Sequence, residues 1–227
     1  MKVQDELQAY ANPEKAKLLS RYFKTGKGQY GEGDIFLGIS VPDQRKIAKN
    51  NKDASLDEIK RLLESKIHEQ RLTALLILVE QYQKTKDESL VTFYLKHTTF
   101  INNWDLVDLT APRILGASLL NKDRKILYQL AKSNSLWEKR IAVIATATFI
   151  QKNQFEDTLK LAEILLNDKH DLMHKAVGWM LREVGKRNQE VEEEFLKKHY
   201  KEMPRTMLRY AIEKFDEKKR SFYLGKN

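Results

Sequence analysis

Trp104, Asp105 and Asp108 fall within five positions of NNWDLVDLTAPRILG, residues 102–116. With Asn102 or Asn103 as a helix cap, Trp104 and Asp108 stand at i and i+4, on one helix face. An indole face and a carboxylate both attract positive charge. Their pairing has the chemistry of a site that meets a cation. A plainer reading of the segment alone is that Asp105 balances the helix start while Trp104 packs in the core. The surroundings bear on that choice, because the rest of the chain is strongly basic.

The sequence carries 41 Lys and Arg against 32 Asp and Glu, a formal net charge of +9 over 227 residues. Such a balance favours a polyanionic partner, either nucleic acid or an anionic membrane face. Hydrophobic residues at 41% are enough for a real core, so wholesale disorder is not expected. The length suits one large domain or one continuous repeat array. With no cysteine, disulfides, thiolate catalysis and cysteine-based metal or cluster sites are excluded. The first residues, MKVQDELQAYANPEKAK, have acids from Asp5 onward and no apolar stretch of the signal-peptide kind. The longest apolar runs, 74–79 and 141–150, are too short to span a bilayer. A soluble, cytoplasmic protein without a membrane partner is expected.

The elements that must position Trp104 and Asp108 read as helices. Five of the nine glycines lie between 26 and 38, which marks one flexible loop, followed by a long stretch with few breakers. Ser40, Ser55 and Ser135 each precede an acid by three residues, a helix-start signal. Leu72, Leu75, Leu76 and Val79 form one apolar stripe at helical spacing, and Ile141, Ile144, Ala145 and Thr148 another. No segment alternates convincingly with period two, so the fold class is all-α.

Segments 68–84, 136–152 and 172–188 look like variants of one helix, each with a leading basic residue before an apolar body. Those residues are Arg71, Arg140 and Lys175, separated by 69 and 35 positions. A further step of about 35 from Lys175 reaches Arg209, and a step of 35 back from Arg140 reaches Asp105. A period of this size, one helical pair per unit, is the signature of an α-solenoid of HEAT or related type. Equivalent positions of a solenoid line one concave surface. A basic cradle interrupted in the middle by Trp104, Asp105 and Asp108 suits phosphates flanking a site of positive charge.

Other motifs are less pointed. Trp179 and Arg182 stand at i and i+3, beside a mid-helix Gly178 that suggests close packing or ligand access. Trp137 near a helix start reads as structural. The glycine-rich loop 24–38 lacks the nucleotide-binding patterns; its lysines suit contact with a polyanion. His170 and His174 have helical metal-pair spacing but no HExxH and no obvious third ligand, so no metal is expected. The acid run EVEEEF (190–195) reads as a solvated helix face.

Four segments taken together, YFKTGKGQYGEGDIFLGISVPDQRKIAK (22–49), NNWDLVDLTAPRILG, LWEKRIAVIA and HKAVGWMLREVGK, resemble the DNA alkylation repair glycosylases of the AlkD type. The resemblance runs in order over essentially the whole chain. It implies a right-handed α-α superhelix of HEAT-like repeats, one domain over 1–227, whose concave basic face grips double-stranded DNA. It also implies hydrolytic excision of cationic N3- and N7-alkylated purines by a monomer, without metal or cofactor. Asp108 matches the family's catalytic aspartate, and Trp104 and Trp179 match aromatics that border the lesion's deoxyribose. Arg140 matches an arginine holding the DNA backbone, and Tyr22 and Arg182 look like further DNA contacts. Lys175 and Arg71 join them as members of the basic series. The chain departs from some active members at Asn103, at Thr148 and in the longer glycine-rich loop. A non-catalytic DNA-binding relative is the alternative reading, with a protein-binding HEAT scaffold behind it.

Overall fold

Helix starts follow the local chemistry. In the computed structural model, which describes residues 2–225, the hydroxyls of Ser40, Ser55 and Ser135 accept backbone N–H groups of the first turns that follow them. These bonds satisfy donors that a helix leaves free at its N-terminus. One compact unit, Met1–Ile114, carries α1 (Val3–Ala9), α2 (Pro13–Tyr22), α3 (Val41–Asn50), α4 (Leu56–Leu63), α5 (His68–Thr85), α6 (Glu88–Lys96) and α7 (Trp104–Asp108). A second, Leu115–Asn227, carries α8 (Lys125–Ala131), α9 (Leu136–Ala145), α10 (Ala147–Ile150), α11 (Glu156–Ile164), α12 (Asp171–Arg187), α13 (Gln189–His199), α14 (Arg205–Ala211) and α15 (Glu217–Leu224). Among the described residues there is no strand, only an isolated parallel bridge between Ile35 and Ile67. The architecture is all-α, consistent with a HEAT-like repeat fold.

The three look-alike segments are all helical. Two are continuous, as α5 and α12, and the third divides at Thr146 into α9 and α10. The Thr146 hydroxyl bonds to the carbonyl of Val143 at 2.6 Å, a local bond that competes with the helical ladder. In the first unit α5 is the central element. Every residue from His68 to Val79 is buried, as expected of a helix surrounded on all sides. Its first turns therefore carry His68, Glu69, Gln70 and Arg71 out of water, and buried polar groups need partners. That requirement shapes the site described below.

In the second unit, Gly178 of α12 lies against α14. A Cβ there would stand 2.4 Å from the carbonyl oxygen of Met207 and 2.6 Å from Cβ of Tyr210. Of the two reasons for a mid-helix glycine, packing is the one the structure gives.

The acid run departs from expectation. Glu190 and Glu194 are exposed and Glu193 pairs with Lys219, but Glu192 is 1% exposed. Helical periodicity turns it inward with Phe195 and Leu196, and its carboxyl occupies the space that a side chain at Gly185 would fill. Burial, helped by the charge of Glu193 and opposed by Arg182, pushes the Glu192 carboxyl up to about 9. It is a neutral acid at pH 7.

Candidate active site

The segment 102–108 folds as the capping pattern predicts. Asn103 is the N-cap of α7, with its side-chain oxygen accepting the Trp104 N–H at 2.9 Å. Trp104 and Asp108 are both half-buried, while Asp105, Leu106 and Val107 turn fully inward. Thus Asp105 and Asp108, three residues apart, have separate environments. Beneath α7 the phenol of Tyr94 meets the Thr110 hydroxyl at 3.3 Å. Burial first, and the negative charge of Asp108 in addition, push that phenol well above its usual range.

Trp104 stands on an aromatic stack. Its ring lies 5.1 Å from Phe23, nearly parallel at 12°, and Tyr22 meets it edge-on at 5.9 Å. Phe23 stacks in turn on Phe36, and Phe36 on the imidazole of His68 at 4.5 Å. An apolar cleft of about 450 Å³ opens beside the stack, lined among others by Leu18, Tyr22, Phe23, Phe36, Ile39 and Trp104. One wall of it is α2, which buries none of its residues and leaves Tyr22 63% exposed.

Below the stack lies a buried ionic cluster. His68 Nε2 is 2.8 Å from Asp105 and Nδ1 is 3.2 Å from Asp34. Asp34 also receives Arg71 at 2.7 Å and the Asn102 amide at 3.3 Å. Burial disfavours the imidazolium, yet the charge and hydrogen bond of Asp105 and the bond to Asp34 outweigh it and raise His68 to about 9; Arg71 opposes them. Asp34 is lowered: burial works against its charge, and His68 and Arg71 overcome that. Next to the cluster, the Glu69 carboxylate accepts the backbone N–H groups of Leu37, Gly38 and Ile39 at 3.0, 2.8 and 3.2 Å.

Two sequence expectations change here. Arg71, expected to face phosphate, is 4% exposed and serves Asp34 and the Ser65 carbonyl instead. The surrounded helix α5 leaves its side chain no path to solvent. The glycine-rich segment, expected to be a flexible loop, is docked on α5 at its C-terminal end: Ile35 N–H donates to Lys66 O and His68 N–H to Ile35 O. It delivers Asp34 and Phe36 into the first unit's interior.

The second unit holds the other expected residues. Arg140 is buried, with Nη1 donating to the Leu172 carbonyl at 2.6 Å. The indole N–H of Trp179, half-buried, donates to Glu183 at 3.1 Å, and the same oxygen accepts Lys186 at 2.7 Å. Arg182 pairs with Glu213 and lies 3.6 Å from Glu183. Lys175 pairs with Asp171 at 2.7 Å. Lys175 and Arg209, one period apart in sequence, line one polar cleft of about 520 Å³ together with Thr206, Tyr210 and Arg220. Thus Tyr22, Trp104 and Asp108 belong to the first unit, and Arg140, Lys175, Trp179 and Arg182 to the second. The two histidines with metal-pair spacing are used separately. His170 caps α12, and His174 bonds to the Asp168 carbonyl at 2.6 Å. Among the described residues no cluster of His, Asp or Glu is arranged to hold a metal.

A family model described as "DNA alkylation repair enzyme" matches residues 3–215. The chain belongs to that family. A solved structure described as "Predicted DNA alkylation repair enzyme from Enterococcus faecalis" is similar, at 19% identity, 91% coverage of this chain, 97% of that one and a TM-score of 0.72. At that identity the likeness speaks for the fold. No curated protein matches significantly. Among the described residues no helix is long and apolar enough to cross a membrane.

For this alkylation repair family member, residue-by-residue matching passes over His68, Asp34, Phe23 and Glu183. Only His68 left a trace in the sequence, as a polar residue heading a helix whose body is apolar. The buried groups also set a pH dependence. Folded His68 keeps its proton from pH 6.5 to about 9, and folded Glu192 from 4.5 to about 9, where the unfolded chain loses it. The folded state thus binds the extra proton, and stability falls as pH rises through this range. The expected fall is on the order of 1 kcal/mol per pH unit for each group in transition. Denaturant melts between pH 6.5 and 9 check it, and Glu192→Gln should flatten the slope. A slope unchanged by that substitution would show that Glu192 ionises normally.

Proposed function

We propose that the protein is a monofunctional DNA glycosylase that hydrolyses the N-glycosidic bond of cationic N3- and N7-alkylated purines in duplex DNA. The observation that carries this reading is the placement of Trp104 and Asp108 on one short, half-buried helix beside an apolar cleft, in a member of an alkylation repair family. Residues 1–227 act in this reading as a single monomeric domain in the cytoplasm, without metal or cofactor.

An alkylated purine of this class is positively charged and is already a good leaving group. The C1′–N bond breaks with both electrons passing to the base, which leaves neutral, and positive charge builds on the sugar. In this proposal Asp108 faces that charge and takes the proton of the water that adds at C1′. The indoles of Trp104 and Trp179 contribute cation–π attraction of roughly 0.5–2 kcal/mol each and keep bulk water off the sugar. Arg182, Lys175 and Tyr22 hold the flanking backbone, and Arg140, buried to the same degree as Arg71, can join them only by leaving the Leu172 carbonyl. Arg71 supports the interior of the first unit instead. The ion pairs of Lys175 and Arg182 with Asp171 and Glu213 must open for phosphates to replace those carboxylates.

The test is incubation with duplexes carrying a single 7-methylguanine or 3-methyladenine, in chelator. Release of free base with an abasic site left behind is expected, together with affinity that falls steeply with salt. Salt-sensitive binding with no release from either duplex would identify a non-catalytic DNA-binding relative.

A further inference from the structure

The glycine-rich segment and the buried histidine have no part in the chemistry above, yet they meet directly beneath it. The helix α7 is five residues long, too short to fix its own orientation through internal hydrogen bonds. Its buried Leu106 and Val107 root it in the core, and two further contacts bear on the end that carries Trp104. One is Asp105, anchored to His68 at 2.8 Å. The other is the Phe23 ring under Trp104. His68 touches both, since Phe23 lies 5.0 Å from its ring and Phe36 stacks on it at 4.5 Å. Its second nitrogen reaches Asp34, which also takes the Asn102 amide from the residue before the α7 cap.

Stability alone does not account for such a cluster. Buried ion pairs are poor stabilisers, and apolar replacements of similar volume commonly serve as well or better. What a hydrogen-bonded ionic cluster supplies that an apolar one lacks is direction. The ring has a carboxylate at each nitrogen, Phe36 stacked on it and Phe23 tilted against it, so its orientation is constrained, and α7 inherits that constraint.

We propose that His68, bridging Asp34 and Asp105, is the positioning residue that sets Trp104 and Asp108 for base excision and ties the glycine-rich segment to that step. The inference rests on the glycosylase reading for its effect on rate, but not for its effect on α7. The groups that face the imidazole are Asp105 from α7, Asp34 from the glycine-rich segment and Arg71 from its own helix. While His68 carries its proton, both bridges hold. When the proton is lost, one nitrogen becomes an acceptor facing a carboxylate, and that side of the bridge opens.

The experiment compares wild type with His68→Gln, which can reach one aspartate but cannot bridge two, and with Asp34→Asn. Three quantities are read: single-turnover release of 7-methylguanine against pH, duplex affinity, and amide exchange across 104–111 in the DNA-free protein. For His68→Gln the release rate is expected to fall about 10- to 100-fold, with affinity within about threefold. Exchange should rise in 104–111 and stay unchanged in α12. Wild-type release should decline above about pH 9, and the variant should lack that decline. Asp34→Asn should move rate and exchange the same way by less. Folded variants with unchanged rate and exchange would overturn the proposal. So would loss of protection throughout the first unit in both variants, which would make the cluster a core contact only. If wild type releases no base, the glycosylase reading fails, and the selective exchange at 104–111 still decides the positioning role.

Discussion

Asp108→Asn should leave duplex affinity within about threefold of wild type and slow release of 7-methylguanine by roughly two to three decades. The substitution keeps the shape of the side chain and removes its charge. A carboxylate about 4 Å from a developing sugar cation, at an effective dielectric near 20, contributes on the order of 4 kcal/mol, about three decades in rate. The cost of holding a half-buried carboxylate away from water lowers the net figure. Binding should be nearly untouched, because phosphate contacts dominate duplex affinity and Asp108 supplies none. Losing its negative charge near DNA would if anything tighten the complex. Single-turnover release and a filter-binding titration on the same duplex separate the two effects. Equal losses in rate and affinity would mean that Asp108 holds the structure of α7 and does not act on the sugar.

The second large effect is on folding. Gly38→Ala should destabilise the protein by about 2–5 kcal/mol, from a left-handed backbone that alanine adopts with strain and from overpacking. The backbone at Gly38 has φ +83°, and a Cβ would lie 2.1 Å from the carbonyl oxygen of Asn12 and 2.7 Å from the N atom of Ala16. Both belong to the start of α2, whose cap Asn12 donates its backbone N–H to Leu37 O at 2.7 Å. Relief of the clash would move either α2, which carries Tyr22, or the 37–39 backbone, whose N–H groups surround the Glu69 carboxylate. The second choice strands a buried charge. A fall in Tm of roughly 5–15 °C is expected for a chain of this size. A Tm within about 2 °C of wild type would show that α2 moves freely and that the cleft beside Trp104 is not a fixed feature.

Much of the local structure was legible beforehand. The serine caps of α3, α4 and α9, the Asn103 cap of α7 and the helical character of 68–84 and 172–188 are short-range properties. A hydroxyl three residues before the backbone N–H that donates to it, or an apolar stripe at 3.6 spacing, needs no distant residue to be read. For the same reason Trp104 and Asp108 were rightly placed together on one helix. The period near 35 carried less. It rightly paired Lys175 with Arg209 on one cleft, but it put Arg71 among surface cations. In the structure Arg71 and Asp105 are members of one buried cluster, joined through Asp34 and His68.

Those differences share a physical cause. Sequence pattern alone determined that this is an all-α protein, where its principal helices start, that it carries excess positive charge, and that an indole and a carboxylate share the face of α7. Each follows from covalent geometry, composition or contacts within a turn or two. Burial is different, because it depends on what other segments cover. Only the packing of neighbours around α5 decided that His68, Glu69 and Arg71 would leave water, and that the glycine-rich segment would bring Asp34 and three backbone N–H groups to meet them. Only the approach of α13 to Gly185 decided that one glutamate in an acidic run would be neutral.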